Sequence, residues 1–233
     1  LGIYLVDQRK NRRGTIFENE KALLFFGNKL GLLETMKSEF PTARFHRIRQ
    51  VHGDESVEIS RLNLNMEITA DAHWTSMQGV ALCIYTADCI PCLVYCNKTN
   101  RVAAIHAGWR GVANQIIPKT LKKLMDSGSQ AHTFLIYCGP HIVMTSFEVE
   151  LDVRNQILQT LSPVSQQICA KEKAQSKYIV DLSRVVDQQL KDIGVQSMQI
   201  SWLRADTKTD DTYHSFRRDK GSSGRNLSLA FLK

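Results

Sequence analysis

Two apolar, β-rich runs, Val80-Ala-Leu-Cys-Ile-Tyr85 and Cys92-Leu-Val-Tyr95, follow one another with Asp88 and Pro91 between them. Runs of that length and make-up read as strands, and the intervening aspartate and proline place a turn where they meet. Arg101 to His106 adds a strand that ends in Ala107-Gly-Trp-Arg-Gly111. A helix is expected from there to about Met125, with a kink or late start at Pro118, because proline lacks the N–H that a helix interior uses. Further strands are expected over Arg44–Val51, Thr133–Cys138, Ser197–Leu203 and Asn226–Leu232, and helices over Glu150–Leu161 and Leu182–Ile193, the latter closed by Gly194. Ala22, Leu23, Phe26 and Leu30 fall at helical spacing, which predicts a helix over Glu18–Leu33. Strands that alternate with helices but also come in adjacent runs favour a mixed sheet over a doubly wound one. The expected class is α/β (α+β), one domain over residues 1–233.

With 233 residues, 43% of them hydrophobic and 23% charged, the chain has the make-up of a globular protein with a full core. Its longest apolar stretch, Val80 to Tyr85, is strand-length and far from the roughly 20 residues that span a bilayer. Leu1-Gly-Ile-Tyr4 shows no charged leader before an apolar run, so no secretory signal and a cytoplasmic location are expected. The net charge of +7 is concentrated at Arg9-Lys-Asn-Arg-Arg13 and at Arg217-Arg218 with Arg225. Neither cluster is interleaved with the aromatics on which nucleic-acid bases stack, so neither a nucleic acid nor a membrane is expected as partner. The first cluster reads as a solvated face; the second, beside glycines and serines, suits an anion. Cys83, Cys89, Cys92, Cys96, Cys138 and Cys169 make no small secreted framework in a chain this long and apolar, which implies free thiols. Cys83, Cys92 and Cys96 lie within the apolar runs and are expected to pack as small hydrophobes.

Three segments concentrate reactive residues at strand ends: Gln50-Val-His-Gly53, Thr86-Ala-Asp-Cys-Ile-Pro91 and His106-Ala-Gly-Trp-Arg-Gly111. Strand ends deliver side chains on rigid supports to one rim of a sheet, and glycine permits close approach. His52, Cys89 and His106 thereby form a plausible tetrahedral zinc set with its fourth position open, as in catalytic zinc sites. His46 and His132 read as ordinary hydrogen-bonded histidines. Cys89 and Cys92 also spell Cys-x-x-Cys, but the strand that resumes after Pro91 argues against the helix-opening redox pair, and no second such pair exists for a structural zinc.

In this order and spacing the three segments resemble the signature of the laccase-domain family, also called polyphenol oxidase-like or peptidoglycan editing factor proteins. Gly139-Pro-His-Ile142, Ser146-Phe-Glu-Val149 and Ser215-Phe-Arg-Arg-Asp219 with Gly224-Arg225 extend the match over nearly the whole chain from Phe45 onward. The resemblance implies a layered α/β/β/α sandwich and His52, Cys89 and His106 as metal ligands. It also implies phosphorolysis of adenosine, inosine and methylthioadenosine, and deamination of adenosine. Some members are described as copper-dependent phenol oxidases and some as affecting cell-wall composition. The chain departs from the pattern in Asp7–Thr15, at His141, where a cysteine is usual, and at Asp206-Thr207, where Cys-Thr is usual.

The leading expectation is therefore a zinc-dependent purine nucleoside enzyme taking a nucleoside and phosphate. Zinc and one or more of Arg110, Arg217 and Arg225 would clamp the phosphate, and Asp88 or Glu148 would move protons in deamination. Because neighbours on an extended strand face opposite ways, one of Arg217 and Arg218 should turn outward. Asp88 has a second reading as a turn residue or as the carboxylate that orients His106. The alternative is copper, since one cysteine and two histidines resemble a blue-copper set. Seven histidines exclude a four-copper laccase, which needs about ten imidazoles. A metal-free hydrolase with Cys89 as nucleophile and His106 as base is the third reading.

Overall fold

The computed structural model describes residues 7–174 and 176–233; the expectation placed on Leu1–Tyr4 lies outside them. Two six-stranded sheets form its centre. The first runs β1 (Asp7–Asn11), β2 (Gly14–Glu18), β3 (Ala22–Gly27), β15 (Asn226–Leu232), β7 (Val80–Thr86), β4 (Arg44–Arg47), antiparallel except where β4 meets β7. The second runs β14 (Ile200–Trp202), β10 (Phe134–Cys138), β8 (Ile90–Cys96), β9 (Arg101–Ala107), β6 (Ala72–Thr75), β5 (Ser56–Glu58), parallel only at its two outer pairs. A small antiparallel sheet joins β11 (Glu148–Glu150), β13 (Lys177–Val180) and β12 (Ala170–Glu172). The helices are α1 (Leu33–Glu39), α2 (Trp109–Ala113), α3 (Ile116–Asp126), α4 (Leu151–Leu158), α5 (Pro163–Cys169), α6 (Leu182–Asp192) and α7 (Phe216–Asp219).

Strand alternation sorts these elements into layers. On β7, Val80, Leu82 and Ile84 enter the core between the sheets with Leu93 and Tyr95 of β8, while Ala81 and Cys83 face Met36 of α1 on the outside. On β8, Cys92, Val94 and Cys96 face the opposite way, toward Val112, Ile116 and Leu121 of α2–α3 and Val185, Val186 and Leu190 of α6. The order is helix, sheet, sheet, helices: a single-domain, layered α+β fold with mixed sheets. Both faces of the central strands are apolar because both are covered, and each large aliphatic side chain fully buried contributes about 1.5–3 kcal/mol. Cys83, Cys92 and Cys96 are packing residues in these cores. Among the described residues no helix is long and apolar enough to cross a membrane.

β7 and β8 do meet at a turn, but they do not pair: Ala87-Asp88-Cys89 carries the chain from one sheet to the other. The helix expected over Glu18–Leu33 is absent, and its centre is β3. Ala22, Leu24 and Phe26 face the inter-sheet core and Leu23 and Phe25 the α1 side, so five consecutive apolar residues satisfy a period of two as well as one of 3.6. The Asn19 side chain accepts from the N–H groups of Lys21 and Ala22 (2.9 and 2.8 Å), building the turn that returns β2 into β3. The helix after Gly108 starts at once as α2 and then breaks at Gln115 (φ +60°), so that Pro118 sits in the first turn of α3, where a missing N–H costs nothing.

Three buried histidines lie away from the strand-end motifs. His46 of β4 and His73 of β6 meet Nδ1 to Nδ1 at 3.1 Å between the sheets, and His141 is 2% exposed. Burial lowers the pKa of each below the ordinary 6.5; the charge of His46 adds to this at His73, and the Gly139 carbonyl works against it at His141. Below pH about 6.5 the unfolded chain takes up protons that the folded chain refuses, so stability falls as pH drops from there toward the folded-state pKa values, by up to about 1.4 kcal/mol per pH unit per group. The urea midpoint is expected to be lower at pH 5.5 than at pH 6.5. A midpoint that stays level or rises would contradict the neutral assignment.

Candidate metal centre

The three reactive strand ends meet at one place, and a buried carboxylate explains why. Asp71 stands just before β6 and is wholly buried. One carboxylate oxygen accepts from the N–H of His52 (2.9 Å), the other from those of Val51 (3.1 Å) and Gly53 (2.7 Å). These bonds hold His52 in left-handed backbone (φ +60°), which costs a non-glycine residue about 1 kcal/mol or more. The Gln50 amide clips the same loop to the end of β7, donating to the Tyr85 carbonyl and accepting from the Tyr85 N–H, both at 2.8 Å. Asp71 also lies 2.7 Å from Nδ1 of His106, the penultimate residue of β9. A carboxylate at that distance requires the proton on Nδ1, which leaves Nε2 as the donor atom. Cys89 comes from the inter-sheet crossing, next to Asp88 at φ +79°.

His52, Cys89 and His106 each offer a ligand atom, and these atoms lie within 4.8 Å of one another. The two imidazoles stand edge to face with centroids 4.8 Å apart. Burial pushes the Cys89 thiol up, but hydrogen bonding to His106 and His52 outweighs it and brings the thiol down to about 7. Burial likewise opposes the His106 imidazolium, yet Asp71 and the Cys89 sulfur lift it to about 9. At Asp71, burial is overcome by the bonds from His106, Gly53 and Val51, which hold the carboxyl below its usual range. The centre is thus built for a thiolate near neutral pH, the form that binds metals. Room for it depends on Gly108. A Cβ there would lie 3.0 Å from the His52 ring and 3.2 Å from the Cys89 sulfur. Gly108→Ala is therefore expected to weaken metal binding by about 10-fold, in the range of outer-shell changes, with little loss of stability because its backbone is ordinary for alanine (φ −69°). A competition titration with a chromophoric chelator measures it, and unchanged affinity would count against this packing.

The donors open onto a cavity of about 560 Å³ lined by aromatics, aliphatic groups and arginines. Asp88, Arg110, Arg217 and Arg225 all border it, whereas Arg218 and Glu148 do not. Asp88 accepts from the Thr207 hydroxyl (2.7 Å) and the Arg217 N–H (2.6 Å), so it ties the arginine segment to the crossing; the carboxylate that orients His106 is Asp71. Arg217 and Arg218 do diverge, although on the short helix α7 rather than on a strand: Arg218 turns to Asp219 (2.7 Å) and to the Thr207 and Tyr213 carbonyls. Glu148 is paired with Lys173 at 2.6 Å. His141 has both ring nitrogens engaged, by the Gly139 carbonyl (2.9 Å) and the Ser183 hydroxyl (3.1 Å), and forms a β-bridge with Asp206, so the two departures in these motifs are neighbours. The first basic cluster lies on exposed β1 and its turn, where Arg9 pairs with Glu18 and Arg13 with Glu39. Sequence reasoning missed Asp71. Its only signal is an acidic residue directly before a buried strand, which many solvated residues share.

A layered α+β sandwich with one cysteine and two histidines at its rim, placed so that they could hold a single metal ion, is an arrangement of laccase-like type. The sequence matches the family described as multi-copper polyphenol oxidoreductase laccase over residues 29–233, and the chain belongs to that family. It is 30% identical over 186 residues to the "Purine nucleoside phosphorylase YfiH" of Shigella flexneri, covering 79% of this chain and 72% of that one. It is 36% identical over 160 residues to a "Purine nucleoside phosphorylase" of Bacteroides thetaiotaomicron, covering 68% and 59%. In fold it is similar to the crystal structure of the Bacillus licheniformis hypothetical protein YfiH (TM-score 0.88, 20% identity, 97% and 99% covered). It is also similar in fold to that of YlmD from Geobacillus stearothermophilus (TM-score 0.86, 22% identity, 98% and 99% covered).

The expectation of a zinc-dependent nucleoside phosphorylase and deaminase is corrected by two findings. The family matched is one of copper oxidoreductases, and the donor set is a His/Cys/His triad rather than the site of a zinc nucleoside enzyme. The carboxylates assigned to proton transfer are also committed elsewhere, Asp88 to Thr207 and Arg217, and Glu148 to Lys173 outside the cavity. Membership in an enzyme family, relatives named for a small-molecule reaction and a metal-competent triad support a metal-dependent enzyme with a small-molecule substrate.

Proposed function

We propose that this chain is a copper-dependent oxidoreductase that removes single electrons from a small phenol. The observation that carries the reading is the meeting of one thiolate and two imidazoles at the cavity wall. That donor set suits copper: sulfur and imidazole are its preferred ligands, and the divalent affinity order peaks at copper. His52, Cys89 and His106 would hold the ion, which supplies a one-electron acceptor that zinc, with its filled d shell, is not. The protein supplies the rest. Asp71 fixes the ring and tautomer of His106, and Gln50 with Asp71 holds the His52 loop. Trp109, Tyr85, Phe147 and Phe216 offer aromatic walls to a flat ring. Loss of an electron and a proton would turn a phenol into a phenoxyl radical. Dioxygen, as co-substrate, would take up the electrons and protons of two phenols as hydrogen peroxide, the protons passing by way of water at the cavity mouth, where Phe216 and Arg217 are exposed.

The pairing of Cys89 with His106 also suits a metal-free thiol hydrolase. His52 has no task in that chemistry, which favours chelation. To test the proposal, metal-free protein is loaded with one equivalent of Cu(II) or Zn(II), and dioxygen uptake is followed with 2,6-dimethoxyphenol. Turnover by the copper form alone is expected. Phosphate-dependent cleavage of inosine by the zinc form, with no phenol oxidation by the copper form, would overturn it, as would ester or amide hydrolysis that chelators leave intact.

A further inference from the structure

The cavity mouth carries three arginines against the single carboxylate of Asp88 on its wall. Arg110, Arg217 and Arg225 all border it, and among the described residues none of their three guanidinium groups is within 4.0 Å of a carboxylate. The contrast with adjacent Arg218 is direct: its guanidinium is saturated by Asp219 and by backbone carbonyls. Asp88, the carboxylate on the cavity wall, has one oxygen engaged by Thr207 and the other by the Arg217 N–H. The free guanidiniums are nonetheless placed rather than loose. That of Arg110 lies 4.3 Å over the Trp109 ring, and that of Arg217 lies 5.5 Å from the Phe147 centroid while donating to the Glu148 carbonyl (3.0 Å). Arg225 donates through one nitrogen to the Ser223 and Gly224 carbonyls, both at 2.9 Å. Stacking and single-nitrogen anchoring fix a guanidinium while leaving other N–H groups for a ligand.

We infer that the substrate is an aromatic acid: a phenol whose ring also carries a carboxylate, the ring against Trp109 and Phe147 and the carboxylate on Arg110 and Arg225. This rests on the oxidoreductase reading for the phenol and stands on the arginines alone for the acid. Unpaired guanidiniums at a cavity mouth attract anions at long range and bind carboxylate through paired N–H groups, whereas a neutral phenol would leave them unused. The cavity, about 560 Å³, falls within the range of small-ligand sites and holds a one-ring acid with room for a short side chain.

The test is a binding measurement that needs no turnover. Calorimetry on Cu(I)-loaded protein without dioxygen, which holds no electron acceptor, compares 4-hydroxycinnamate with its methyl ester, in the wild type and in the double variant Arg110→Gln/Arg225→Gln. The acid is expected to bind about 10- to 100-fold more tightly than the ester, the span of charge-assisted hydrogen bonds, and 0.5 M salt should shrink the difference. The double variant should lose the preference, the affinity for the acid falling to that for the ester. Equal binding of acid and ester by the wild type, or a preference that survives in the double variant, would overturn the inference. Acid preference without phenol oxidation would remove the oxidoreductase reading and leave the acid subsite standing; oxidation without acid preference would do the reverse.

Discussion

Asp71→Asn is expected to destabilise the protein by about 3–5 kcal/mol, the cost of removing one partner from a buried charge pair, and to weaken metal binding by about 10- to 100-fold. The wild-type carboxylate accepts from three backbone N–H groups and from the His106 ring, and it is wholly buried. An asparagine of the same shape has one acceptor oxygen and turns an amide N–H₂ toward groups that are themselves donors. Either the His52 loop or the His106 ring must give way. Denaturant unfolding reads the first effect and chelator competition the second. Wild-type behaviour in both would mean that the loop and the ring are held by something other than this carboxylate.

Cys89→Ser is expected to abolish copper retention and to lower phenol turnover by at least about 100-fold, more than the loss of an outer-shell partner. The thiolate is the soft donor of the three, and a serine hydroxyl stays protonated where the thiol, brought to about 7 by His106 and His52, ionises. Stability of the metal-free protein should change little, because the substitution is close to isosteric. Metal analysis after dialysis and initial rates with 2,6-dimethoxyphenol check the two halves. Full copper retention in Cys89→Ser would move the sulfur ligand to another cysteine.

The parts of this molecule that sequence made legible share a physical cause. The alternating faces of β7 and β8 and the glycines at Gly53, Gly108 and Gly111 are local properties, and local properties leave local patterns. The metal-competent trio could be singled out because reactive side chains stood at strand ends beside glycine. What sequence hid was set by tertiary contact. β3 read as a helix because a strand covered on both faces loses the alternation that separates the two periods. Asp88 and Asp71 look alike in sequence; only the folded chain brings Asp71 to the His52 loop and His106 while sending Asp88 to Thr207 and Arg217. The three arginines could be recognised as anion binders, but that Arg218 is saturated while Arg217 is not depends on where α7 and the Thr207 loop come to rest.

A copper ion held through the sulfur of Cys89 between His52 and His106 is read from the visible absorption of Cu(II)-loaded protein together with copper content, in the wild type, Cys89→Ser and Cys92→Ser. One copper per chain is expected, with a thiolate-to-copper charge-transfer band that Cys89→Ser abolishes and Cys92→Ser keeps, since Cys92 is buried in the helix-facing core. A band that survives in Cys89→Ser, or that disappears in a folded Cys92→Ser, would contradict it.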